Sequence, residues 1–232
     1  MDSFMEKFNI FDLFTMLIPG IIISTLFSTS LSFQYYNLWK TFGNEKYALF
    51  FIISYLCGVI YQEIGSIADK MFLNKILYGG KPKETFLSED KYEKILKHEL
   101  LYREAIQVKK YFLNILNINN IERMSIGQKN QLNSEIFSHC LNMAESNNLT
   151  FKADKMLVIS EMSRSLFWGC ISTIILNVYM IFKYSICCEF YYFEILVLVI
   201  LSLIFLYRKA RYERYRFHIL IRAFILYIKE NN

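Results

Sequence analysis

Five of the eight arginines in this chain, Arg208, Arg211, Arg214, Arg216 and Arg222, fall within fifteen residues, and Lys209 lies among them. Elsewhere the chain carries 17 lysines and only three arginines. A guanidinium is a planar fork that binds phosphate through paired hydrogen bonds, which an ammonium cannot do. Placed in a helix, Arg208, Arg211 and Arg222 share an arc, with Tyr212, Tyr215, Ile219 and Phe224 between the basic positions. Three chemistries fit such a segment: a topological anchor beside a membrane, a contact for anionic lipid headgroups, and a site for a phosphate-bearing ligand such as a nucleotide or oligonucleotide.

A second group of polar residues lies inside strongly apolar sequence. Ser24, Thr25, Ser28, Thr29 and Ser32 fall on one arc of a helix over the first apolar run. They suit either a hydrated path or close packing between helices, where small hydroxyl residues hydrogen-bond across the contact. Asn177 lies well inside the third run, and its amide needs partners in hydrocarbon. Asp12 and Glu63 stand near the ends of the first and second runs. A charge at a bilayer centre costs about 3 kcal/mol or more, so such groups face partners or water. They fit interfacial pairing with Arg164, Arg208 or Lys209, or a ring of acids at a pore mouth, one from each subunit. Pro19-Gly20 would bend the first helix and is a candidate hinge.

Chemistry of other kinds is not expected. His98, His139 and His218 are widely separated. The G-x-S-x-G, H-E-x-x-H and P-loop patterns are missing, as are cysteines at zinc spacing. The reading is therefore of a protein that is not an enzyme, with no metal and no cofactor. Cys57 and Cys170 lie in apolar runs, Cys140 in a charged segment, and Cys187 and Cys188 are neighbours that rarely pair with each other. Five free thiols are expected.

The elements that must position these residues follow from hydropathy. The 232 residues are 54% hydrophobic and 17% aromatic with two prolines. Apolar stretches of membrane length alternate with charged ones. Four spans are expected, Phe11–Phe33, Tyr47–Ala68, Ser165–Phe182 and Phe190–Tyr207, each long enough for a hydrocarbon core of about 30 Å at about 1.5 Å per residue. Acidic Asp2 and Glu6 ahead of the first run argue for a retained anchor rather than a cleaved signal. Only Lys40, Lys46 and Lys183 lie on one side of a four-span chain; the other 23 of 26 basic residues lie on the opposite side. The positive-inside rule makes that side cytoplasmic, with both termini.

Between the runs the pattern stays helical. The second span is expected to run on through Met71, Phe72, Ile76 and Leu77 to a stop at Gly79-Gly80, followed by a turn at Pro82. Residues 88–116 form an amphipathic pattern with Tyr92, Ile95, Leu96, Leu100, Val108, Phe112 and Ile115 as its stripe. Ser125 and Gln128 fit a capping box for a helix to about Glu145. From Thr150 a helix enters the third span without a break. The expected fold is an all-α, four-span transmembrane bundle with helical cytoplasmic extensions: spans one and two in 1–68, a cytoplasmic helical domain in 69–164, spans three and four in 165–207, and a basic C-terminal helix in 208–232. So small a cytoplasmic domain is expected to bury little apolar surface alone, which favours a homo-oligomer.

The stretches "FNIFDLFTMLIPG", "CGVIYQEIGS" and "YGGKPKETF", with the arginine-rich C-terminal helix, give the chain an architecture that resembles the small four-span membrane effectors of bacterial anti-phage defence, of the CBASS-like and Hailong-like kind. The resemblance implies an inner-membrane oligomer that opens, or breaches the bilayer, when a cyclic or linear oligonucleotide made by a neighbouring sensor enzyme binds it. The alternative is a non-conducting anchor that recruits a soluble partner through the 81–150 helices.

Overall fold

The structure is a computed structural model and describes residues 13–41, 45–78, 82–85, 99–115, 124–147, 149–184 and 189–231. The described residues are almost all helical and contain no strand. In chain order the helices are α1 (Ile18–Thr41), α2 (Glu45–Ala68), α3 (Asn74–Tyr78), α4 (Pro82–Thr85), α5 (Glu99–Ile115), α6 (Ile126–Ser146), α7 (Phe151–Tyr184) and α8 (Glu189–Asn231). Three segments are long and apolar enough to cross a membrane: Leu13–Leu31, Tyr47–Leu77 and Phe151–Lys183. The chain is thus an all-helical protein with the marks of a membrane protein.

Two departures from α geometry have sequence causes or consequences. Leu13–Leu17 forms a π-helical turn directly ahead of α1. Pro19 has no N–H to give the carbonyl one turn back, and its ring crowds that carbonyl, so the preceding turn widens. A second π segment, Asp69–Leu73, joins α2 to α3 and buries Asp69 and Leu73. The second apolar run therefore does continue past Ala68, as its periodicity suggests, but through a widened turn. The glycine stop at 79–80 and the 88–98 part of the amphipathic stretch lie outside the described residues.

The chain divides into two compact units. The first comprises Met1–Ile67 and Val158–Ala210. In it glycines bring helices into backbone contact. A Cβ on Gly20 would strike the Ser54 carbonyl, and one on Gly58 would strike the Met16 carbonyl, so α1 and α2 touch where neither residue has a side chain. Gly169 of α7 receives the Ile23 side chain of α1. Gly65 of α2 lies against α7, 3.0 Å from Arg164 Cγ and 3.2 Å from Trp168 Cδ1 in the position a Cβ would take. Hydrocarbon gives apolar faces no hydrophobic reason to associate, so close van der Waals approach at small residues does that work.

The second unit comprises Ala68–Leu157 and Arg211–Asn232. Its core gathers Ala105, Val108 and Phe112 of α5, Leu132, Ile136, Phe137, Cys140 and Ala144 of α6, Ala153 of α7, and Phe217, Leu220, Ile221 and Phe224 of α8. Each set recurs at three- and four-residue spacing, the period that puts side chains on one helix face. Phe112 and Phe224 stack with ring centroids 5.1 Å apart, and Phe137 meets Phe217 edge-on at 5.2 Å. The Ser125 capping box forms: Gln128 N–H donates to Ser125 Oγ at 3.3 Å and Ser125 N–H donates to Gln128 Oε1 at 2.9 Å. Asn133 Nδ2 donates to the Glu84 carbonyl at 2.9 Å, and Lys83 Nζ lies 5.7 Å from the Phe137 ring centroid, so α4 is seated on α6.

Residues from 211 onward supply a face of this core. The unit also buries a substantial aromatic core, for the same reason: the stripe Phe217, Leu220, Ile221 and Phe224 completes what α5 and α6 leave open. Ile115, expected on the buried stripe of α5, is instead 57% exposed, and Ala105 is buried.

Candidate functional site

The basic residues of α8 divide between the two units. In the first unit, Arg208 is exposed, whereas Lys209 is only 3% exposed and its backbone carbonyl accepts a hydrogen bond from Ser160 Oγ of α7 at 3.4 Å. The Lys209 side chain is thus enclosed, whereas Arg208 beside it faces outward.

The second unit holds the other four arginines and Lys229. Arg211 is exposed; its guanidinium lies 5.4 Å from the Tyr215 ring centroid and its Nε donates to the Tyr215 hydroxyl at 3.3 Å. Tyr212 packs against Tyr215 edge-on, centroids 6.1 Å apart. Arg222 is exposed and makes a 3.4 Å ion pair through Nε with Glu104 of α5. Arg214 and Arg216 are half-buried. The pattern follows from the helix itself: Phe217, Leu220, Ile221 and Phe224 face the core, Arg211 and Arg222 lie on the opposite side, and Arg214 and Arg216 lie on its flanks. An aromatic-backed guanidinium at 211 suits recognition of a phosphate or of a stacked base.

In the first unit the polar arc of α1 divides. Ser24 is buried, and its hydroxyl has no hydrogen-bond partner among the described residues. Ser28 is half-buried. Thr25 and Thr29 are exposed and bond back to their own helix, to the Ile21 carbonyl at 2.7 Å and the Leu26 carbonyl at 2.8 Å. Pro19 and Gly20 are both buried, and Gly20 is where α1 touches α2. The candidate hinge lies at this packed crossing, directly after the π-helical turn Leu13–Leu17. Glu63 is exposed on α2, between exposed Ile60, Ile64 and Ile67. Asp12 and the side chain of Ser32 lie outside the described residues.

Asn177 is fully buried in α7, and neither amide atom has a hydrogen-bond partner among the described residues. The sequence marked it as needing partners. It did not mark Ser30 or Glu194. Ser30 of α1 is fully buried and its hydroxyl lies 3.2 Å from Glu194 Oε1 of α8. The signal for that pair was present, since Glu194 is the one acid in its apolar run, but a long-range partner cannot be read from a single chain. Among the described residues no three His, Cys, Asp or Glu side chains gather at metal-binding distance. Cys57, Cys140 and Cys170 are free thiols.

Compared with protein-family models, with curated proteins and with solved structures, the chain matches none.

Proposed function

We propose that the protein is a homo-oligomeric four-span membrane effector that conducts ions, opened from the cytoplasmic side by a phosphate-bearing nucleotide or oligonucleotide. The fourth span is the first half of α8, where Tyr192, Phe193, Leu196, Ile200, Leu203, Ile204 and Tyr207 are at least half exposed and want lipid around them. Both termini and the 69–164 segment face the cytoplasm of a bacterial inner membrane, in accord with the 23-to-3 division of basic charge. Reporters fused after Asn232 or inserted near Asn119 are cytoplasmic in this topology, and one near Asn44 is external.

One observation carries the conducting role: α1 turns Thr25 and Thr29 out of the subunit's own packing, while Ile23 and Ser30 are wholly buried. Hydroxyls outside the subunit's packing can line a shared aqueous axis once several subunits surround it. The anti-phage role rests on the resemblance in architecture, and the phosphate ligand on the choice of arginine around 208–222. Replacing Thr25, Ser28 and Thr29 together by Leu tests the reading. Leakage of dye or ions through cells or vesicles is expected to cease while protein level and oligomer size hold. Undiminished leakage excludes this face as the path.

The second reading, a non-conducting anchor, draws on a different observation. In the second unit Ile76, Ile126 and Phe151 are 74%, 79% and 73% exposed. Exposed large apolar residues suit a docking partner. Vesicles that never leak under any phosphate-bearing signal, with a soluble protein retained on the helices of 81–150, favour this second reading.

A further inference from the structure

In the first unit Glu194 and Asn177 carry buried polar atoms with no hydrogen-bond partner among the described residues, and Ser30 stands beside Glu194. Ser30 is wholly buried, and its single hydroxyl proton is shared between the Leu26 carbonyl at 3.0 Å and Glu194 Oε1 at 3.2 Å. The other carboxylate oxygen, Glu194 Oε2, is buried with no hydrogen-bond partner among the described residues. Asn177 is wholly buried with both amide atoms in the same condition. Glu194 is half-buried with one carboxylate oxygen enclosed, and a wholly buried amide with no partner, as at Asn177, is costly in an apolar surround.

Helix register brings the three to one level. Asn177 lies seven residues before the end of α7 at Tyr184, and Glu194 lies five residues after the start of α8 at Glu189. At about 1.5 Å per residue both are about 8–10 Å from the connection between the two helices. The helices are still side by side at the far end, where Ser160 Oγ reaches the Lys209 carbonyl. Counting from that contact, Asn177 is 17 residues along α7 and Glu194 is 15 residues back along α8. Both ends of the hairpin thus set Asn177 level with Glu194. Helix α1 agrees: Ile23 packs on Gly169, Ser30 follows Ile23 by seven residues, and Asn177 follows Gly169 by eight.

We propose that Ser30, Asn177 and Glu194 form a binding site for a small monovalent metal cation inside the helical bundle. The donors are a carboxylate oxygen, an amide oxygen and a hydroxyl oxygen, the hard oxygen set that alkali and alkaline-earth cations take. One carboxylate balances one positive charge. A divalent ion would leave a net charge in a low-dielectric interior, which selects the monovalent class. The cation satisfies the free Glu194 oxygen and the Asn177 carbonyl together, and it ties α1, α7 and α8 at one level. The site lies within a subunit and does not require that the oligomer conduct.

The test is thermal unfolding of the purified full chain in detergent, in lithium, sodium, potassium and choline chlorides at equal ionic strength. At least one alkali cation is expected to raise the midpoint saturably over choline, by about 3–6 °C at ten times its dissociation constant. Glu194→Gln and Asn177→Leu each abolish that cation-dependent rise, while the exposed control Glu145→Gln keeps it. If Glu194→Gln fails to fold, the wild-type salt series and Asn177→Leu decide. Equal midpoints in all four salts overturn the proposal, as does a rise retained in Asn177→Leu. A midpoint that responds to acidification in choline and not to any alkali cation overturns it in favour of a protonated carboxyl.

Discussion

The Ser30 hydroxyl lies 3.2 Å from a carboxylate oxygen of Glu194, across 164 residues of sequence, and joins the first apolar helix to the last. In water such a bond would compete with solvent. If both helices cross a bilayer, as the proposed four-span topology has it, the bond helps to decide which helix neighbours which, because apolar faces alone do not discriminate. Its energy is nonetheless modest, since interhelical hydrogen bonds in membranes average about 0.6 kcal/mol. Ser30→Ala is expected to lower the unfolding free energy in detergent by about that amount, while Ser30→Thr, which keeps the hydroxyl, restores it. A loss of several kcal/mol in both variants would mean that volume, not the hydroxyl, matters at this position.

The glycine contacts rank themselves by what stands opposite. A Cβ on Gly58 meets the Met16 backbone, which cannot move without displacing α1. A Cβ on Gly65 meets Arg164 Cγ at 3.0 Å and Trp168 Cδ1 at 3.2 Å, ends of side chains that can shift. Gly58→Ala is therefore expected to cost about 1–3 kcal/mol and Gly65→Ala less than about 1 kcal/mol. Midpoints of thermal unfolding of the two variants give the order directly. The reverse order would show that α1 and α2 do not cross at Gly58.

In the second unit burial silences a thiol. Cys140 is 1% exposed among Phe and Ile side chains, and burial pushes it up from the usual thiol range to about 12. The folded state holds the neutral thiol. Cys140 therefore adds stability that is complete below the ordinary thiol value near 9 and is lost as pH rises toward 12. At pH 8 a maleimide should leave Cys140 unmodified by mass spectrometry. Phe224→Ala, which removes a wholly buried ring at a cost of about 3–5 kcal/mol, should expose it to labelling. Labelling of Cys140 in the folded wild type would place it outside the core.

Local signals in this chain were legible and distant ones were not. The Ser125 capping box is a four-residue motif whose two bonds are both local, so sequence alone finds it. The unbroken passage of α7 from Phe151 to Tyr184 follows from the absence of Gly and Pro near its entry. By contrast, the α8 stretch after Arg208 advertises charge, and its buried stripe is visible only as a face. Nothing local says that this face meets α5 and α6, so its contribution to an aromatic core was missed. Asn177 stood out because an amide in an apolar run is conspicuous by itself. Its level with Glu194 depends on helix register, which only the folded hairpin fixes.

The same helix gives the sharpest test of the arginines. If Arg211, Arg214 and Arg222 serve only to hold the chain at the cytoplasmic face, lysine should replace all three without effect, because that rule counts charge and not shape. Structural loss should be small. Arg222 is 54% exposed and its partner Glu104 27%, a surface ion pair worth at most about 1 kcal/mol, and lysine can remake it. Arg211 stacks beside Tyr215, where an ammonium still finds the ring face. What lysine cannot supply is two parallel hydrogen bonds to one phosphate. The triple Arg→Lys protein is therefore expected to insert normally and unfold within a few degrees of wild type, yet to lose its response to the activating signal. Leakage of vesicles or cells carrying the protein, with and without an added nucleotide or oligonucleotide, reads the response that the proposed function requires. Full leakage in the triple variant would leave topology and lipid anchoring as sufficient reasons for the arginines.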